Sequence, residues 1–139
     1  MPGENRAIKL IGILVVLAAG PLGADERPVA PSWLYRHVPN VPAVKSDLTT
    51  PTCHYKALFG EGDAQASIAR GVWRYGEITV DPGGACAEVS YPRIEEAYVV
   101  MEGSGAVHYG GEKHAVNKYD FMYLPPTVLH TVSNPSKSP

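Results

Sequence analysis

No run of lysine or arginine occurs in this sequence, and its charge is nearly balanced, with 12 basic and 14 acidic residues. Without a basic face there is no electrostatic footprint for nucleic acid. Helical patterning is missing too. After Asp25 no stretch keeps apolar residues at i, i+3, i+4 and i+7 over three turns. The chain also lacks a nucleophile elbow, a phosphate-binding glycine loop and zinc-ligand spacing, so those chemistries are set aside. Cysteine occurs only twice, as Cys53 and Cys86. The two can close one disulfide or stand as separate buried thiols, and sequence leaves both open. If bridged, the loop they close contributes about 3–4 kcal/mol in the chain-entropy model. With 139 residues the chain has room for one domain and one core.

Glycine and proline are abundant instead, at 14 and 13. That suits short strands joined by tight turns. The chain opens with Arg6 and Lys9, then the apolar run Ile11 to Ala19, the break Gly20-Pro21, and small residues Gly23-Ala24 before Asp25. This basic, apolar, small-residue order predicts a secretory signal over residues 1–24 and a periplasmic or secreted protein. The run is too short for a comfortable membrane span. Residues 25–66 hold Pro28, Pro31, Pro39, Pro42 and Pro51, and read as an extended arm with Trp33, Leu34 and Tyr35 as anchors. From residue 67 to 139 the texture is that of strands. Val72 to Val80, Ala87 to Tyr91, Ala97 to Met101, Ala106 to Tyr109, Lys113 to Val116, Phe121 to Leu124 and His130 to Ser133 are expected strands. Gly110-Gly111 is the clearest hairpin signal. An all-β barrel or sandwich follows.

Two segments of this region resemble the paired motifs of the cupin superfamily. In Gly84-Ala-Cys-Ala-Glu-Val-Ser90-Tyr91-Pro92-Arg-Ile-Glu95-Glu96, continuing to Gly103, the residues Gly84, Glu96 and Gly103 fall in register with the first motif. In the segment from Tyr119 to Asn134, Pro125, His130 and Asn134 match the second, while Tyr119 and Thr127 replace glycines. The resemblance implies a double-stranded β-helix, or jelly-roll barrel, with the Pro-rich arm ahead of it. It also implies a last strand beyond the second motif. The tail after Asn134 is too short and Pro-rich to supply one, so the barrel is expected to lack it.

In this family three histidines and a carboxylate hold a divalent transition metal. Here the first-motif histidine positions hold Ser90 and Pro92, or Val89 and Tyr91 with a one-residue shift. Only Glu96 and His130 remain as weak candidate metal ligands, so metal affinity is expected to be poor. The pocket candidates are Glu88, Ser90, Tyr91, Glu96 and His130. His108 and His114 flank the Gly110-Gly111 turn at the spacing of opposing strand residues, without a third ligand. The expected function is small-molecule binding in the barrel by an exported protein. The alternative is an enzyme of isomerase, lyase or oxygenase type around Glu96 and His130. Pairing of two copies through sheet edges is the assembly that the resemblance allows.

Overall fold

The computed structural model describes residues 7–15 and 34–137. The expected cleavage site and Trp33 lie outside them. Eight strands form: β1 (Ile8–Val15), β2 (Cys53–Gly60), β3 (Val72–Val80), β4 (Glu95–Glu102), β5 (Ser104–Tyr109), β6 (Glu112–Asn117), β7 (Phe121–Leu124) and β8 (His130–Ser133). Two short 3-10 turns, Val38–Asn40 and Ala66–Ile68, are the only helical elements among the described residues. The strands make two antiparallel sheets, in the orders β2-β3-β1-β4-β7 and β6-β5-β8. The fold is therefore all-β, as expected.

Period-two alternation places the core. On β3, Arg74, Gly76, Ile78 and Val80 turn inward; on β4, Glu96, Tyr98 and Val100 do. Their apolar members meet Val107, Val116 and Val132 of the smaller sheet in one cluster. Cys53 and Cys86 are bonded, with Cα atoms 4.9 Å apart, tying β2 to the segment leading toward β4. Gly110 and Gly111 have φ of +57° and +88°, as a two-residue hairpin turn requires, and Tyr109 pairs with Glu112 across it.

The structure differs from the sequence reading in three places. Ile8–Val15, which fall within the residues read as a leader, form β1, the middle strand of the larger sheet. β1 pairs with β3 on one side and β4 on the other, and Ile8 and Leu10 are fully buried. A signal peptide and a central strand have the same composition here, because both need a short apolar run. The arm expected over residues 25–66 contains β2, whose Cys53, Tyr55, Ala57 and Leu58 are buried. Prolines stop at Pro51, which leaves Cys53–Gly60 free to donate to a ladder. Tyr35, expected as an anchor, is 64% exposed. Finally, Ala87 to Tyr91 forms no regular strand. Ala85 and Val89 make isolated bridges to Ser133 and His130, and this irregular segment lies along β8.

Candidate functional site

The inward face of β4 carries a carboxylate, and that of β8 an imidazole. Glu96 and His130 are 4% and 2% exposed. His130 Nε2 lies 2.8 Å from Glu96 Oε2, an ion-pair contact that joins the two sheets rather than an aligned hydrogen bond. On the other side of the ring, Nδ1 lies 3.0 Å from the Val128 carbonyl oxygen. Both ring nitrogens therefore face oxygen atoms, an arrangement that favours the protonated ring. Burial works against that charge. The Glu96 carboxylate and the Val128 carbonyl outweigh it, so the pKa of His130 is raised. Tyr98, two residues from Glu96 and on the same face, donates its hydroxyl to Glu96 Oε1 at 2.8 Å. Burial and the neighbouring carboxylate push the Tyr98 phenol well up, so it stays a donor.

Above this pair sits a second polar group. Arg74 comes from an inward position of β3 and is 5% exposed. Its guanidinium lies 4.8 Å from the Trp73 ring centre, 5.3 Å from that of Tyr91 and 5.7 Å from that of Tyr55. It donates to Asp47 Oδ1 at 2.6 Å and to the Tyr91 hydroxyl at 2.5 Å, and Tyr91 donates in turn to Asp47 Oδ2 at 2.6 Å. Burial opposes the charge on Asp47, but the Tyr91 and Arg74 hydrogen bonds outweigh it and hold the carboxyl below its usual value. The Tyr91 ring also packs edge-on against His130 at 6.2 Å. Tyr91 thus links the outer group to the inner pair.

Between the two groups lies a chamber of about 20 Å³, lined among others by Gly12, Tyr55, Arg74, Gly76, Glu96 and Tyr98. That is room for about one water molecule. Gly12 and Gly76 are cross-strand partners. A Cβ at Gly12 would stand 2.7 Å from the Tyr98 ring, and one at Gly76 would stand 2.3 Å from the Tyr55 ring. The glycines let the two phenols lie across the sheet. The Tyr55 hydroxyl is buried and has no hydrogen-bond partner among the described residues, a condition that costs roughly 1–3 kcal/mol.

Of the sequence candidates, Glu96, His130 and Tyr91 come together. Glu88 and Ser90 are exposed and do not join them, while Val89 is buried against the core. The shifted register is therefore the structural one, with Val89 and Tyr91 where the motif has histidines. His108 and His114 do not face each other. His108 pairs with Lys113 and bonds Ser133 at 3.0 Å, whereas His114 pairs with Val107 and lies 3.6 Å from Glu112. The donor set does not fit the metal that the motifs imply. His130 Nδ1 is held by the Val128 carbonyl, and among the described residues no three of His, Cys, Asp and Glu cluster as metal ligands. Sequence reasoning missed Asp47, Tyr55, Arg74 and Tyr98. Tyr98 was findable from its two-residue spacing to Glu96, and Arg74 as a charge at an inward parity of β3. Asp47 and Tyr55 gave no such signal.

Residues 76–139 match the family model of the Cupin domain, so this part of the chain is a cupin domain. No curated protein matches the chain at a significant level.

Proposed function

Taking the cupin domain as premise, we propose that this protein binds a small molecule without a resident metal, at the polar column from Asp47 and Arg74 down to Glu96 and His130. The observation that carries this reading is the buried Glu96–His130 pair at 2.8 Å. It pairs the two side chains that stand where the family has metal ligands, and leaves the neighbouring polar groups to a ligand. Ligand-observed NMR with a fragment library on the intact chain tests it. Expected are binders that weaken in Tyr91→Phe. A library without a single binder sensitive to that change would contradict the reading.

The catalytic alternative rests on a separate observation. Tyr98, Glu96 and His130 form a proton relay beside a water-sized chamber. An imidazolium next to a carboxylate can donate one proton and recover another, as isomerisation or elimination requires. The oxygenase form would need a metal that this donor set does not fit. Turnover of any substrate abolished by both Glu96→Gln and His130→Gln would favour this alternative over simple binding.

Export is a further proposal. The basic, apolar, small-residue order of residues 1–24 supports it, and so does a disulfide, which persists in oxidising compartments. Cleavage near Asp25 would remove β1, so β3 and β4 would then need another strand between them. N-terminal sequencing decides. A start near Asp25 in periplasmic or secreted material supports export, and an intact N-terminus on cytosolic protein contradicts it.

A further inference from the structure

The wall of the inner chamber carries a polar group that the polar column above does not use. Tyr55 is 2% exposed, lines the chamber, and has a hydroxyl without a hydrogen-bond partner among the described residues. Burial pushes its pKa up, so the phenol keeps its proton and remains a donor. Its ring lies over Gly76, where a Cβ would come within 2.3 Å, so bare backbone at that position admits it. A buried donor beside a hollow calls for an acceptor in that hollow.

Size and charge select the acceptor. The chamber of about 20 Å³ takes one water-sized particle and no carbon skeleton. Arg74 and Glu96 both line it, so a cation would stand beside the guanidinium and an anion beside the carboxylate. A neutral particle avoids both. Partners are sufficient. Glu96 receives Tyr98 on Oε1 and faces His130 on Oε2, and each carboxylate oxygen can accept again. Arg74 keeps N–H donors beyond those given to Asp47 and Tyr91. We propose that the inner chamber is a site for one internal water molecule, which accepts a hydrogen bond from Tyr55 and donates one to Glu96. Through it Tyr55 joins the hydrogen-bonded group of Tyr98, Glu96 and His130. Any larger ligand is then confined to the level of Asp47, Arg74 and Tyr91. The inference stands on the chamber and Tyr55, and holds or fails independently of the ligand reading above.

Magnetic relaxation dispersion of water ¹⁷O, measured on the full chain, counts waters that stay bound for longer than the protein takes to tumble. Tyr55→Phe is expected to lose one such water. Tyr123→Phe, at an exposed position on the outer face, should lose none. Melting temperature tests the same claim through its sign. A satisfied buried hydroxyl stabilises, so Tyr55→Phe should lower the melting temperature by about 2–6 °C. An orphaned hydroxyl destabilises, so its removal would raise it. A high-resolution crystal structure should show one density peak about 2.5–3.0 Å from both Tyr55 Oη and a Glu96 carboxylate oxygen. An equal water count in the wild type and Tyr55→Phe would overturn the proposal. So would a raised melting temperature in Tyr55→Phe, or a chamber without density.

Discussion

Two residues carry backbone strain that their neighbours impose. Tyr119 and Thr127 have φ of +75° and +76°, in the left-handed region, and both stand where the cupin motif has glycine. A β-branched residue there is the more strained of the two. The Thr127 amide donates to the Tyr91 carbonyl at 2.8 Å, so this turn is held against the site. Thr127→Gly is expected to stabilise the protein by about 0.5–1 kcal/mol, the relief of strain less the entropy of glycine. Urea denaturation of the variant checks it. His130 makes a second prediction at this scale. Its folded pKa is raised above the ordinary value of 6.5. The stability it contributes is therefore full below about pH 6.5 and lost as pH rises through the folded value. Asp47 works in the opposite sense. Its carboxyl is held below 3.8, so its contribution is full above that value and lost as pH falls through the folded one. Melting temperature should thus hold a plateau between about pH 4 and 6.5 and decline above it. In Glu96→Gln the alkaline decline should shrink. An unchanged decline would remove the ion pair as its cause.

At the scale of elements, β1 is the strand on which the larger sheet turns. It supplies ladders to both β3 and β4, and its Gly12 makes room for Tyr98 at the chamber. Leu10 is fully buried, whereas Lys9 lies on the other face, 3.6 Å from Glu102. Leu10→Ala should cost about 2–5 kcal/mol and Lys9→Ala less than about 1 kcal/mol. Chemical denaturation of the full-length chain measures both. Equal, negligible effects would mean that β1 is not in the folded molecule, as cleavage near Asp25 requires. The same element shows why local sequence reading stops where it does. Ile11 to Ala19 is apolar and sits behind basic residues, which satisfies a leader and a central strand alike. β5 and β6, by contrast, were legible because Gly110-Gly111 supplies a turn that few other structures use.

For the molecule as a whole, the cupin character was legible from spaced motif residues, and so was the convergence of Glu96 and His130. The upper half of the site was not. Asp47 reaches Arg74 from 27 residues away, and Tyr91 from 17. Such pairings are set by which strands neighbour each other, information that no local pattern holds. The inner pair is expected to behave as a unit that crosses between sheets. Removing one partner leaves a buried charge, so Glu96→Ala or His130→Ala should each cost about 3–5 kcal/mol. Replacing both with apolar residues, as Glu96→Val with His130→Leu, should cost less than either single change. Chemical denaturation of the three variants reads this directly.

The claim that a protonated imidazole has replaced the metal ligand set is tested most directly by the ¹⁵N resonances of the His130 ring, assigned against His130→Gln. The account predicts that both nitrogens are protonated at pH 6.5, and that one equivalent of zinc leaves them unchanged. A His130 Nε2 that loses its proton and moves to a metal-bound shift on adding equimolar zinc would contradict it.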